Sequence, residues 1–434
     1  LLTNISCSIL SITVSIFMVI TSYLSSSFAQ NERDNTVVLN AILADEGRWE
    51  QLIESARERL ELRHPDLNIE VQYEILPYDD IKATILQKVS NNESVDLISV
   101  DQIWLSELAE KQILTDLTNF TDEWGNSSDW YQANWDGGVY EGKIYGIWGW
   151  TDIRGIWYWK DLLKQADVDP ELLNGYTSKR LNEILRPYGI EGMHLVGASH
   201  APDMFYPYLW MLGGEIFEMK NGHPKHGSYW FPTFNSSEGV MALEFIKKQI
   251  DAGIKAQKDH FWGQEFVNRS FAVMIEGSWM PGEFPLDQWS TLEQKVGFIP
   301  MFPVPYANNI TATMMGGWEL SIPTTTTYKE LAWELITLML DPEVLTPMLL
   351  ENGYLPTQIP IGDGPFSANM SRSIPYFEEM VSMVPLGHKR PNVPEYPLVT
   401  ENIGEAINQI YNGSKQPNEA LQHAAAISAD ELGW

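Results

Sequence analysis

This sequence predicts an α/β protein with more than one hydrophobic core, on three observations. Strand-like and helix-like patterns alternate in the order βαβαβ between Thr36 and Val100, which implies a parallel sheet with right-handed crossovers. The stretch from Glu141 to Leu163 is apolar and aromatic, too dense for a solvated loop, and reads as a buried strand running into a helix at Lys160-Asp161-Leu162-Leu163. The chain has 434 residues of which 44% are hydrophobic, ample for burial and long enough for about two or three domains.

Residues 1–31 contain no charged side chain. Ile5 to Leu24 is apolar with Ser and Thr interspersed, and Ser27-Phe28-Ala29 before Gln30 reads as a small-residue cleavage site. Residues 1–29 are therefore expected to be a secretory signal, although they lack a basic stretch, or an uncleaved anchor of about twenty residues. The lone cysteine, Cys7, falls in this segment, so the body beyond it has neither a disulfide nor a cysteine nucleophile. That body carries the whole charge imbalance, 28 Lys and Arg against 58 Asp and Glu, a net −30. Such acidity repels nucleic acid and anionic lipid, and it also serves solubility. Acceptor sites for N-glycosylation are more frequent than chance supplies, at Asn92, Asn119, Asn126, Asn235, Asn268, Asn309, Asn369 and Asn412, as expected of an exported surface.

The elements follow in order. Thr36 to Leu43 is a strand, and Asp45-Glu46-Gly47 leads into a helix whose Trp49, Leu52, Ile53, Ala56 and Leu60 recur at three and four residues until Pro65 stops it. Ile69, Val71, Tyr73 and Ile75 alternate as in a strand, a helix follows around Asp80 to Val89, and Asp96 to Val100 is a short buried run. Ligands of parallel sheets sit beyond the carboxyl ends of the strands, which puts Glu46 and Asp101-Gln102 on one rim. Later, Asn235 stands as a helix N-cap with Glu238 three residues on, ahead of the apolar face of Val240, Leu243, Phe245, Ile246 and Ile250. Tyr328 to Leu340 is an amphipathic helix.

Several motifs suggest other chemistry and lack its context. Gly137 to Lys143 fits a phosphate-binding loop, yet Ile144 follows the lysine and the chain continues as strand rather than helix. His194, His200, His223 and His226 match no strong zinc spacing, and Pro224 breaks a helical pair. Ser199-His200 is no nucleophile elbow, since Gly-x-Ser-x-Gly is absent. Paired carboxylates for glycoside hydrolysis are inevitable by chance among 58 acids, and sequence does not give their separation. No cofactor is expected.

The pattern Gly142-Lys143-Ile144-Tyr145-Gly146, then Thr151-Asp152, an aromatic pair and Lys160-Asp161-Leu162-Leu163, resembles the first inter-lobe crossover of the extracellular solute-binding proteins of ABC importers, family 1, most closely the trehalose/maltose-binding branch. The likeness extends through Asp96–Leu117, Trp210–Glu218, the segment from Asn235 to Ile254, Phe271–Met280, Val296–Pro303, Met315–Pro323, Asn352–Pro356, Arg390-Pro391 with Tyr396, and the C-terminal helices. It implies a two-lobed periplasmic-binding-protein fold of type II, each lobe a mostly parallel sheet flanked by helices and joined by a multi-segment hinge, with lobe 1 at 36–147 plus 299–345 and lobe 2 at 148–298 plus 346–434. It further implies a monomer on the outer face of the membrane that captures a sugar, a maltose- or trehalose-like oligosaccharide, and presents it to permease subunits without making or breaking a bond. The alternatives are another polar solute, an extracellular glycoside hydrolase and a carbohydrate-adhesive protein.

A pyranose has an apolar C–H face and a rim of hydroxyls, so its site needs flat aromatic surface ringed by carboxylates or amides. Among 17 Trp, 18 Tyr and 16 Phe, Trp104, Trp150, Trp279 and Trp318 are the candidates for the first, Trp318 because Gly316-Gly317 let backbone approach a ligand closely. Glu46, Asp101, Gln102 and Asp152 are candidates for the second, and Arg390 adds donors. Arg154 departs from the small or apolar residue the resemblance implies there, and so bears on which sugar is taken.

Overall fold

Thr36–Ala44 forms β1, with Leu39, Ala41, Ile42 and Leu43 buried, and the first helix follows at Trp49–Arg63. That helix buries Trp49, Leu52, Ile53, Ala56 and Leu60, the five positions its periodicity marks. β2 (Asn68–Leu76) is half exposed, as its alternation demands of an edge strand, and after the helix Tyr78–Ser90 comes β3 (Leu97–Asp101), buried at every residue. A computed structural model describes residues 35–45, 49–170, 173, 175–194, 201–223, 227–251, 263–301, 304 and 311–433. Glu46, Asn309, His200, His226 and residues 1–29 lie outside the described residues.

The Gly137–Lys143 loop belongs to a small hairpin, β4 (Val139–Tyr140) with β5 (Lys143–Ile144), and no helix follows the lysine. The dense aromatic run becomes β6 (Ile147–Trp159), thirteen residues long and buried throughout except at Asp152. Next come β7 (Glu191–His194), the hairpin β8 (Phe217–His223) with β9 (Gly227–Pro232), β10 (Phe271–Gly277), β11 (Val296–Ile299), β12 (Thr313–Ser321), β13 (Leu355–Pro356) and β14 (Gly387–Lys389). Among the described residues ten strands share one sheet in the order β2-β1-β3-β12-β6-β10-β7, with β11 and β13 also on β6 and β14 on β12.

Pairing is parallel for β1 with β2 and β3, for β10 with β7 and for β12 with β14, and antiparallel wherever β6 takes part and between β12 and β3. The centre is thus mixed. Up to Ile153, β6 pairs with β12, and from Arg154 onward it pairs with β10 and β11, so one strand carries the chain from one half of the sheet to the other.

One local expectation is corrected. The helix after β9 is Ser237–Asp251, and its capping oxygen is Ser236 Oγ, which accepts from Gly239 N at 3.3 Å. Asn235 instead donates Nδ2 to Gln422 Oε1 at 2.8 Å, because the C-terminal helix Pro417–Glu431 lies against this turn. No helix among the described residues is long and apolar enough to cross a membrane.

Candidate functional site

Strand register assembles one face of the sheet. Trp318 on β12 stands opposite Asp101 on β3 and Trp150 on β6, and two residues earlier Gly316 stands opposite Asp152. Directly opposed residues share a face, so Asp101, Trp318, Trp150, Gly316 and Asp152 lie together.

Asp101 closes β3 and caps the short turn Gln102–Trp104, accepting from Ile103 N. It also accepts from Tyr78 Oη at 2.8 Å and from Arg390 Nη2 at 2.9 Å. Gln102 donates Nε2 to Arg390 O at 3.0 Å and to Asn392 Oδ1. Trp318, 5% exposed, meets Trp104 edge to face at 5.8 Å and Tyr78 at 6.1 Å. Trp104 in turn tilts against Tyr78 at 5.1 Å. Trp318 is therefore the floor of a three-ring cluster rather than a bare plate. Trp150 packs edge-on against Trp49 at 4.9 Å and lies parallel to Tyr354 at 5.8 Å. Gly317 has φ +144°, and a Cβ there would collide with Trp148 Nε1 and Trp150 O, so the glycine is required by both backbone and space.

Gly316 leaves room for charge. A Cβ on it would stand 2.9 Å from Asp152 Oδ2 and 3.3 Å from Arg390 Nη2, so these two groups meet over the bare backbone. Asp152 pairs with Arg154 Nη1, Arg154 Nη2 pairs with Asp203 Oδ2 at 2.9 Å, and the guanidinium carbon stands 4.5 Å from the Trp279 ring centroid. The result is a buried line of alternating charge, Asp101–Arg390 then Asp152–Arg154–Asp203, with Glu276 of β10 beside Arg154. Burial raises the Asp152 carboxyl, opposed by Arg154 and Arg390. Burial likewise pushes Glu276 up to about 7 against the pull of Arg154. For Arg390 burial acts downward, but Asp101, Tyr396, Asp203 and Tyr78 together outweigh it and the guanidinium stays charged. Among the described residues two donors in this line have no acceptor: Arg154 Nε and Arg390 Nε, both buried.

Asp101, Gln102, Trp104, Trp150, Asp152, Trp279, Gly317, Trp318 and Arg390 all belong to this constellation. Sequence reading omitted Tyr78, Asp203 and Glu276. Tyr78 follows Pro77 as the first residue of a helix just beyond a strand end, and nothing in its local pattern marked it for the site.

The fold is the two-lobed α/β fold of type II seen in similar solved structures. Residues 43–345 match the model of the family described as bacterial extracellular solute-binding protein, and the chain belongs to that family. A binding protein of Brucella abortus (strain 2308) is 21% identical over 382 residues, covering 86% of this chain and 88% of the relative. Similar solved structures include maltose-bound MalE3 of T. maritima, with 20% identity, TM-score 0.75, and 90% of this chain and 98% of that one covered. A solute-binding protein of Thermotoga lettingae bound with alpha-D-tagatose has 20% identity and TM-score 0.73, covering 91% and 99%. The GacH receptor of Streptomyces glaucescens, solved unliganded and with acarbose, has 22% identity and TM-score 0.71, covering 91% and 98%.

Proposed function

We propose that this protein is the substrate-binding component of an ABC importer, a monomer that captures a neutral sugar of the maltose or trehalose type on the Trp318 face and hands it to permease subunits without turnover. The carrying observation is the pair of buried, acceptor-less guanidinium donors, Arg154 Nε and Arg390 Nε, set in a line of carboxylates beside Trp318, Trp104 and Trp279. Hydroxyls of a sugar both accept and donate, so one ring can take the free N–H groups, give to Asp101 or Asp152, and lay its C–H face on an indole. The sugars and sugar analogue bound by the similar structures agree with this reading.

The lobes we assign are 36–147 plus 299–345 and 148–298 plus 346–434, and the change of partners along β6 supports a hinge there. Residues 1–29 direct export to the outer face of the membrane and either are removed or remain as an anchor. Glycans are assigned to the exported surface, with Asn92, Asn119, Asn126, Asn268, Asn369 and Asn412 exposed and Asn235 tied to Gln422. An intact mass above the sequence mass, on protein from its native host, checks that assignment, and a bare mass refutes it.

The test of function is a thermal-shift panel of neutral di- and trisaccharides, monosaccharides, polyols and amino acids on the mature chain. Specific binding raises the Tm by mass action, about 2.7 kcal/mol of stability at a hundred times Kd. A shift with maltose- or trehalose-type glycans, and no product on chromatography of the same mixture, is expected. Sustained hydrolysis, or shifts only with non-sugars, contradicts the proposal.

A further inference from the structure

Immediately after Trp318 a bulge interrupts the pairing of β12 with β6, so that Glu319 stands opposite Trp148, while Ser321 stands opposite Ile98 of β3. Glu319 and Ser321 thus occupy the reverse face of the sheet from Trp318. Glu319 is 0% exposed, and neither of its carboxyl oxygens has a hydrogen-bond partner among the described residues. Ser321 Oγ, Gln102 Oε1 and Ser106 Oγ are also buried without partners.

The Glu319 and Ser321 oxygens share one wall, and the Gln102 amide is tied to the loop beside it. A Cβ placed on Gly146 would run into Glu319 Oε2 and, at 2.8 Å, Ser321 Oγ, and one on Gly137 would stand 3.4 Å from Glu319 Oε1. Asn392 Nδ2 donates to the carbonyls of Gly137 and Val139, and Asn392 Oδ1 receives Gln102 Nε2, which brings the Gln102 amide to the same place. Because Gln102 Nε2 is also committed to Arg390 O, the atom left over is the carbonyl oxygen. Ser106 lies one helical turn beyond Gln102 on the next short helix. The charged groups that act on the carboxylate are Lys389 and Asp101, and Lys389 Nζ is drawn off to Asp136 O at 3.3 Å.

We infer that this wall, built on Glu319, Ser321 and Gln102 with Ser106 beside them, is a binding site for a monovalent cation, sodium or potassium. Buried polar atoms are as a rule satisfied, and a buried carboxylate left uncompensated is among the costliest arrangements in a core. The acceptor oxygens suit a hard cation; the one partnerless nitrogen beside them, Trp148 Nε1, is an indole donor that ligates no metal. One carboxylate matches one positive charge. Its rival is a proton, since burial, opposed by Lys389 and aided by Asp101, raises Glu319 well above the usual carboxylate range. The site shares Gln102 with the Trp318 constellation but needs no sugar, and its test uses none.

Melting temperatures in sodium, potassium and choline chloride at equal ionic strength, at pH 5 and pH 8, test this. At pH 8 the Tm is expected to be higher by about 2 °C or more in sodium or potassium than in choline. The increment should shrink at pH 5, where protons compete, and vanish in Glu319→Gln. Should that variant not fold, Ser321→Ala keeps the carboxylate and is expected to raise the salt concentration for half-maximal effect at least threefold. In wild-type crystals soaked with thallium(I), the anomalous map should peak between Glu319 and Ser321. Equal Tm in all three salts overturns the site, as does an increment that survives Glu319→Gln or is indifferent to Ser321→Ala. A Tm that falls from pH 5 to pH 8 alike in every salt, with no thallium peak, assigns the wall to a proton and overturns it too.

Discussion

Asp101 shows why single residues here serve both fold and site: it ends a strand, caps a turn, and holds Tyr78 and Arg390. Removing one partner of a buried charge pair typically costs about 3–5 kcal/mol, so Asp101→Asn is expected to lower the urea midpoint as well as sugar affinity. Trp318→Ala leaves a hole beneath Trp104 and Tyr78, and chemical denaturation should show a loss of about 3–5 kcal/mol. Neither variant alone separates binding from stability. Glu276 offers a cleaner residue-scale test through pH. With its folded value near 7 and an unfolded value near the ordinary 4.3, the native state holds the extra proton between them. Its contribution is therefore complete below about pH 4 and lost as pH rises through about 7, worth on the order of 3 kcal/mol. Urea unfolding from pH 4 to 8 should show that decline, flattened in Glu276→Gln; a slope identical in both would show that Glu276 does not titrate as a buried acid.

At the scale of elements, the runs that became β1, β2, β3 and β6 were legible because each is a continuous or alternating apolar pattern, whereas β10 and β12 were reached through the family resemblance of Phe271–Met280 and Met315–Pro323. The phosphate-loop lookalike was rejected for the right physical reason, since Lys143 continues into a hairpin. Tyr78, Asp203 and Glu276 were not legible, because they join the site through register and helix packing between segments far apart in sequence. Arg154 was legible only as an anomaly, and its meaning came from Asp152, Asp203 and Trp279 gathering around it. Two glycines test the β12 element in opposite ways. Gly317→Ala meets a forbidding φ and a full space, and is expected to cost about 2–4 kcal/mol of stability by denaturation. Gly316→Ala inserts a methyl between Asp152 and Arg390, so its first effect should be a drop in ligand affinity of tenfold or more by calorimetry. A loss of stability from Gly316→Ala as large as that from Gly317→Ala would place the charge line in the core alone.

For the whole molecule, β6 changes partners midway, so the face carrying Asp101, Trp318 and Asp152 continues into the half carrying Arg154, Glu276 and Trp279. A ligand touching both ends must hold the two halves together, and that is what a binding protein needs in order to signal occupancy. The most direct measurement is a calorimetric titration of the mature wild-type chain with maltose and trehalose, with the cell contents then chromatographed. The account predicts saturable one-to-one binding of at least one of these sugars, weakened in Gly316→Ala, with the sugar recovered intact. No saturable heat with any neutral sugar, or recovery of hydrolysed product, would contradict it.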